Sequence, residues 1–417
     1  MRKSFWRVIK KILTGIFISV FSLIVFFIIG EMAFRLAKEK SLYLKVTTGI
    51  ERLRSPYLFD PNTSWQLRSS KNNEFDVTVK INDLGFRGED FELEKEEGSL
   101  RIFMVGDSFT YGVGAENDQT IPYLTQHILK AENIPAQVIN AGRGHASTIG
   151  HYLKLRDIHL KYEPDIVLLL FDFSDLQDDW RDQKHLVRDK AGKVIYIDPA
   201  VTDGKKDWWF LAKRHSKFCQ YIDKKIVRTI NKMRVLGFTN YIKAKIQGKK
   251  AKSVIVNLEK DQAGIDTIEY DHYLFMRGRD KLPLIQEHWQ LTQEYLLKIR
   301  DLLEENNIDL ILVIYPYGIH VGPDQWDQGR VYWGFEKGKV YTDRYAFELI
   351  EDFARRHGIA CINTLEGFIE NKEKQLFFPF DGHLTPEGNE VMADSIVDSP
   401  VFRDILSRHV SKEEPIR

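Results

Sequence analysis

Cysteine is almost absent: Cys219 and Cys361 are the only two in 417 residues, too few for a disulfide framework or, on their own, for a zinc site. Absent too is an excess of either charge. Sixty Lys and Arg balance sixty Asp and Glu, so no global field draws nucleic acid and no nucleic-acid partner is expected. No Walker loop, Rossmann glycine fingerprint or zinc box occurs, so neither cofactor nor metal is expected. His145, His151 and His159 lack a liganding pattern and read as surface or core residues. No period of about 20 to 50 residues recurs, which excludes a repeat architecture. The mean hydropathy of -0.33 excludes a multi-span membrane protein. A hydrophobic share of 43% with 29% charged residues removes the disordered and fibrous classes. The length allows two or three domains, or one domain carrying a large insertion.

One long apolar run is present. Ile12 to Gly30 are nineteen consecutive positions without a charge, and at about 1.5 Å per residue a helix of them nearly crosses a hydrocarbon core of about 30 Å. Arg2, Lys3, Arg7, Lys10 and Lys11 precede it with no acidic residue among them, which by the positive-inside rule keeps the N-terminus cytoplasmic. The expectation is a single-pass anchor over residues 12–34 in the inner, cytoplasmic membrane. Residues 1–11 would be cytoplasmic, 35–79 a membrane-proximal stalk, and the remainder extracytoplasmic. A cleaved signal peptide competes with this reading, but the run exceeds a usual h-region and no A-x-A-like site follows.

From Leu100 onward, short β-branched runs alternate with helical stretches, the pattern of a parallel sheet covered on both faces. Strands are predicted at Arg101 to Val105, Gln137 to Asn140, Ile166 to Phe171, Leu310 to Tyr315 and Ile359 to Ile362. Helices are predicted at Ile121 to Ala131, His288 to Asn306, Arg344 to His357 and from Pro386 onward. Thr120 and Thr385 stand as N-caps, with Pro122 and Pro386 in the first turns. The fold class is therefore α/β, a doubly wound, flavodoxin-like five-stranded parallel sheet over residues 80–410, and ligands in such sheets bind beyond the carboxyl ends of the strands.

Residues 176–281, between the third and fourth strands, exceed any ordinary connection and form an insertion. Within it, Lys205 to Lys252 hold fifteen Lys or Arg against only Asp207 and Asp223. Phe218, Ile222, Ile226 and Ile230 recur every fourth position, with Lys217, Lys224, Lys225, Arg228 and Lys232 on the other faces. A basic amphipathic helix of this kind suits an anionic membrane or polymer surface. A solvated helix packed on the core fits the same stripe.

The first strand runs into Gly106-Asp107-Ser108-Phe109-Thr110-Tyr111-Gly112, a serine in a glycine-bounded turn at a strand end. After the last strand comes Phe378-Pro379-Phe380-Asp381-Gly382-His383-Leu384-Thr385-Pro386. A serine hydroxyl is a poor nucleophile until a base takes its proton, and an imidazole base needs a carboxylate to fix its tautomer. Ser108, His383 and Asp381 can fill those three roles. The second strand ends in Asn140-Ala141-Gly142-Arg143-Gly144-His145 and the third in Phe173-Ser174-Asp175-Leu176, so four segments converge on one sheet edge. Trp326, Tyr332, Trp333 and Phe335, after the fourth strand, could stack on sugar rings, although packing of a long loop explains them as well.

This ordered set resembles the SGNH/GDSL hydrolase superfamily. With the N-terminal run and Asn82-Asp83-Leu84-Gly85-Phe86-Arg87-Gly88 before the first strand, it resembles the bacterial membrane-anchored cell-envelope members. The resemblance implies Ser108 as nucleophile, His383 as base and Asp381 as its orienting carboxylate. It implies an oxyanion hole from the amide of Ser108 and a glycine amide after the second strand, Gly144, with Gly142 or His145 as alternatives. The third donor, normally an asparagine, falls at Ser174. The function so implied is a membrane-anchored serine esterase or O-acyltransferase acting on acyl or acetyl esters of envelope glycans or lipids, with a membrane acyl-donor protein as partner if the reaction is transfer. The alternative is a catalytically impaired domain that binds glycan or scaffolds polysaccharide assembly.

Overall fold

The computed structural model describes residues 58–69, 72–198, 273–277 and 282–413, with parts of 13–32 and 201–222. An unbroken apolar run such as Ile166–Phe171 has no polar face to turn to water, so it must be covered on both sides. It forms β5 (Ile166–Phe171), buried at all six positions, beside β3 (Leu100–Val105), which is equally buried. The other sheet strands are β4 (Ala136–Asn140), β8 (Asp309–Ile314) and β9 (Ala360–Asn363). All pairings are parallel in the order β4-β3-β5-β8-β9. Numbered by succession this is 2-1-3-4-5, the flavodoxin-like order. The five predicted strands are all present, displaced by no more than one residue at either end.

Right-handed crossovers send the helices to opposite faces of such a sheet. Accordingly α2 (Ile121–Ala131) packs with α7 (Pro386–Val397), while α3 (Thr148–Asp157), α4 (Asp175–Asp182) and α5 (Leu282–Glu305) pack together. Two further helices, α6 (Tyr345–Arg356) and α8 (Pro400–Glu413), complete the layers. Thr385 caps α7 as expected, its hydroxyl accepting from the Gly388 amide at 3.1 Å. Thr120 stands at the N-cap of α2 but its hydroxyl donates to the Asn117 carbonyl at 3.0 Å instead.

Ahead of the sheet, β1 (Ser64–Arg68) and β2 (Asp76–Lys80) form an antiparallel hairpin, with Trp65 opposite Val79. Phe75 and Val77 pack with Phe378, and Val79 and Ile81 with Tyr111. The hairpin thus rests on the loops at the carboxyl edge of the sheet. In the first part of the insertion, β6 (Leu186–Arg188) and β7 (Val194–Ile197) pair antiparallel, and Val194 packs with Ile149, Leu153 and Tyr295.

The chain divides into two compact units, residues 55–198 with 256–417, which hold the sheet, and residues 1–54 with 199–255. In the smaller unit the described residues include a hairpin of Val201–Thr202 with Lys205–Lys206 and a helix at Trp208–His215. Lys217, Lys224, Lys225, Arg228 and Lys232 lie outside the described residues.

The single-pass anchor expected over 12–34 is corrected, and with it the anchored class of relatives, the membrane as partner and the inner-membrane localisation. Among the described residues no helix is long and apolar enough to cross a membrane, and much of 12–34 lies outside them. Spanning requires about 20 apolar residues in one continuous helix. A charge-free run establishes the apolarity and not that continuity.

The central strand carries the sheet's stability. Leu169 on β5 is fully buried and lies opposite both Val105 and Leu312, so Leu169→Ala leaves a cavity that rigid neighbours on both sides cannot close. Urea unfolding should show a loss of about 3 to 5 kcal/mol, with the slope unchanged.

Candidate active site

Parallel strands all end at one edge, and all five of the loops there carry polar groups. After β3, a Cβ on Gly106 would lie 2.1 Å from Thr110 Oγ1 and 3.0 Å from the Leu170 carbonyl, so only glycine lets the chain turn there. Asp107 caps the helical turn α1 (Ser108–Tyr111), its carboxylate accepting from the Phe109 amide at 2.9 Å. The turn ends at Gly112, with φ at +89°. The side chain of Arg87 collects the carbonyls left open at that end. It donates to Tyr111 at 2.9 Å, Gly112 at 2.6 Å and Ala115, and its Nε reaches Asn117 Oδ1 at 3.0 Å.

The loop after β4 is stitched to the same turn. Asn140 Nδ2 donates to the Tyr111 carbonyl at 3.3 Å, and Asn140 Oδ1 accepts from the Gly142 amide at 3.1 Å. A Cβ on Gly142 would lie 2.2 Å from the Tyr111 nitrogen, whereas one on Gly144 meets only Ser108 Cβ at 3.9 Å. The three expected oxyanion candidates are thereby separated. Gly142 is a packing glycine with its amide engaged. Gly144 lies beside Ser108, and among the described residues its amide donates to no protein group. His145 is exposed in the left-handed region, with φ at 60°.

Past β5, the Asp172 carboxylate accepts from Tyr315 Oη at 2.8 Å, from Tyr317 Oη at 2.7 Å and from the Ser174 amide at 2.6 Å. Ser174 and Asp175 therefore stand at this edge, at the start of α4. The last loop turns at Gly382, with φ at +89°, where a Cβ would come within 2.5 Å of Trp326 Nε1. Trp326 donates to the Phe380 carbonyl at 3.2 Å.

These supports bring Ser108, His383 and Asp381 together. Ser108 Oγ lies 2.8 Å from His383 Nε2, and His383 Nδ1 is hydrogen-bonded to Asp381 Oδ1. The His383 and Asp381 side chains keep 23% and 22% of their surface exposed, so the group opens to solvent. Ser108 Oγ is also 3.1 Å from Asp107 Oδ2. One hydroxyl proton serves one acceptor at a time. With neutral His383, Nδ1–H donates to Asp381 and Nε2 accepts from Ser108; with protonated His383, Nε2–H donates to Oγ and the hydroxyl proton turns to Asp107.

Burial alone would pull the His383 imidazole down, but the Asp381 hydrogen bond and charge, helped by Asp107 and Asp172, hold it above its ordinary 6.5. Burial pushes Asp381 up, yet the hydrogen bond, the charge and the amide of His383 together outweigh this and leave it below the usual carboxylate range. Asp107 is pushed up to about 7 by burial and then by the Asp172 charge, against the amides of Phe109 and Ser108 and the charge of His383. Asp175 rises well above the carboxylate range through burial and the charges of Asp107 and Asp172. A cluster of acids at this density under one imidazole favours its charged form.

Asp107, Asp172, Tyr315, Tyr317 and Arg87 were not assigned roles from the sequence. Asp172 offered a signal, as a single acid within Phe171-Asp172-Phe173 at a strand end. Arg87 offered only its place in the Asn82–Gly88 stretch, where nothing distinguishes a buried arginine from an exposed one. His151 and His159 are buried in the described core, and burial drives both imidazoles down, His159 to about 3. Among the described residues no group of acids, histidines and cysteines could hold a metal. Trp326 and Phe335 are buried and pack with Tyr273 and each other, and half-buried Trp333 packs on Tyr273; the side chain of Tyr332 is outside the described residues.

No family model matches the chain, and no curated protein matches it. Among solved structures, the chain is similar to TesA, with 12% identity over 73% of this chain and 99% of that one and a TM-score of 0.36. It is similar to the acetyl xylan esterase AlAXEase, at 14% over 72% and 98% with a TM-score of 0.34. It is also similar to the lipase/acylhydrolase from Enterococcus faecalis, at 13% over 74% and 96% with a TM-score of 0.36.

Two substitutions test the supports. Arg87→Met strands the carbonyls of Tyr111, Gly112 and Ala115 and should cost about 3 kcal/mol or more, since bonds to a charged donor are worth about 1.5 to 3 kcal/mol each. Thermal unfolding would register it. Gly142→Ala forces its methyl into the backbone of α1 and should destabilise more than Gly144→Ala, for which space exists.

Proposed function

We propose that this chain is a serine hydrolase of carboxylic esters that works through an acyl-enzyme on Ser108. The observation that carries the proposal is the continuous path from Asp381 Oδ1 through the His383 ring to Ser108 Oγ, placed where a doubly wound sheet receives its ligands. In the proposed sequence, Asp381 keeps the proton on His383 Nδ1 and so leaves the Nε2 lone pair toward Ser108. As Ser108 Oγ attacks the ester carbonyl carbon, Nε2 takes the hydroxyl proton and the carbonyl π electrons move onto oxygen. Collapse of the tetrahedral adduct breaks the bond to the alkoxy oxygen, which leaves with the proton from Nε2. Water then repeats the attack on the acyl-enzyme, with His383 again as base, and releases the acid.

The developing oxyanion needs donors fixed in advance. The Gly144 amide, beside Ser108 and without another acceptor among the described residues, supports its assignment to that role. The Ser108 amide is the second donor; it also faces the Asp107 carboxylate, so it exchanges one negative partner for another as the adduct forms. The Ser174 hydroxyl is the third, at the position where the sequence pattern places a side-chain donor.

A fluorophosphonate probe should label Ser108 in the folded protein, and Ser108→Ala should abolish labelling. Equal labelling after His383→Ala would count against the assignment of the base. Asp381→Asn should lower kcat by about 10⁴-fold, because the amide fixes the wrong tautomer. The pH dependence follows from the site's charge. Activity requires neutral His383, so kcat/KM should rise with pH and reach half its maximum above 6.5, the ordinary imidazole value. Asp107, at about 7, titrates in the same range, so the limb belongs to the coupled pair. A half-maximal point below 6.5 would contradict a carboxylate-dominated environment.

A further inference from the structure

The loop that carries the acid and base cannot satisfy its own backbone. Within 378–383, the Phe378 amide donates to the His383 carbonyl at 2.8 Å and the Gly382 amide to the Phe378 carbonyl at 3.1 Å. The His383 amide reaches Asp381 Oδ1 at 3.4 Å. Two consecutive amides remain, those of Phe380 and Asp381, and both point out of the loop. They are taken by one side chain from far back in the sequence: Glu74, whose Oε1 accepts from Phe380 at 2.6 Å and whose Oε2 accepts from Asp381 at 2.8 Å.

Glu74 is itself held. It sits in the turn between β1 and β2, where its amide donates to Ser69 Oγ at 2.8 Å and the Ser69 amide donates to the Phe75 carbonyl at 3.0 Å. The next residue, Phe75, packs on Phe378 with ring centroids 5.1 Å apart. On the other side of the turn, Asn72 donates to Gln328 Oε1 at 2.9 Å, and the Gln328 and Gly329 amides both donate to the Pro379 carbonyl at 2.9 Å. The carboxylate is thus delivered from the β1–β2 hairpin to the two peptide groups that precede the Asp381 side chain.

We infer that Glu74 is a positioning residue of the triad: its carboxylate, by binding the Phe380 and Asp381 amides, fixes the Asp381 side chain against His383 Nδ1. The inference rests on the functional reading above for its catalytic consequence, though not for its structural one. One carboxylate that holds two successive amides, those of Phe380 and Asp381, fixes two adjacent peptide planes relative to each other, which a single hydrogen bond does not. Without it, two part-buried donors lose their acceptor and the loop must move to find water. Asp381 then drifts from the ring, and a misplacement of about 1 Å is enough to cost about 10²-fold in rate.

The imidazole reports this directly. His383 is faced by Asp381 from its own loop, by Asp107 from the nucleophile turn, and by Asp172 from the end of β5, itself held by Tyr315 and Tyr317. Only the first of these depends on Glu74. The test is to titrate the His383 ring by NMR in the full chain, in the wild type, Glu74→Gln and Glu74→Ala, and to measure kcat and KM per fluorophosphonate-labelled site. The neutral amide of glutamine offers one acceptor in place of two. The His383 titration should therefore move downward in the order wild type, Gln, Ala. kcat per labelled site should fall by about tenfold and about 10²-fold in the same order, with KM little changed. The acidic limb of the pH profile should shift to lower pH, a change that loss of folded protein does not produce. If Glu74→Ala does not fold, the glutamine variant carries the test. An unchanged His383 titration in a folded variant overturns the inference, whether or not its melting temperature falls. Absence of labelling in the wild type would overturn the hydrolase reading instead, and the ring titration would still judge the role of Glu74.

Discussion

A contact between two side chains 275 residues apart in sequence, Ser108 with His383, is the point on which the structure converges. It needs sub-ångström agreement between a turn at the start of the sheet and a loop beyond its end. No local propensity provides that. What provides it is the parallel sheet, whose strands emerge at one edge by construction, and a set of polar supports that fix each loop from outside itself. Arg87 and Asn140 bind the carbonyl end of the Ser108 turn. Trp326, Gln328 and Glu74 bind the backbone of the loop that carries Asp381 and His383. In each case a backbone group that water would otherwise solvate is given a protein partner, so the loop has one conformation of low energy and not several.

The same edge concentrates negative charge. Asp381, Asp107 and Asp172 approach one imidazole, and Asp175 lies within reach of Asp107 and Asp172; burying that many carboxylates is costly unless each finds donors or keeps a proton. Asp172 finds two phenols and an amide, Asp381 finds the imidazole and Asp107 finds the Phe109 amide. Asp175, deeply buried, is raised well above the carboxylate range by burial and by the charges of Asp107 and Asp172. The field from these groups favours imidazolium, the form that must accumulate as a serine gives up its proton. An arrangement that destabilises the resting site in this way stabilises the charge created on the path out of it.

The sheet was legible because its signal is redundant. Each strand from Leu100 onward is a run of apolar residues closed by a turn, and a one-residue error at an end leaves the topology unchanged. Ser108, Asp381 and His383 were legible because their residue types and loop positions together define a chemistry. Glu74 and Arg87 were not, and the reason is physical. Glu74 and Arg87 act on backbone atoms, which every residue possesses, so no partner residue type marks the contact in the sequence. The short hairpin that delivers Glu74 read as a stalk because two five-residue strands ahead of a sheet carry no sign of what they lie against. The apolar run of residues 12–30 misled in the opposite direction: composition there suggested a spanning element, and length of continuous helix, which composition does not contain, decides whether one exists.

The span between Glu74 and the Phe380 amide, 306 residues, has a consequence in time. A chain grows from its N-terminus at about 5 to 20 residues per second, so at these rates the β1–β2 hairpin precedes the loop it holds by about 15 to 60 s. Throughout that interval the sheet can accumulate strands and the serine turn can form, yet the base is not present and the carboxylate meant for its loop has nothing to bind. The contact between Ser108 and His383 therefore forms in one late step, when the last loop closes onto supports that were completed first. A nascent chain of this protein carries Ser108 without that partner for the 275 residues of synthesis that separate the two.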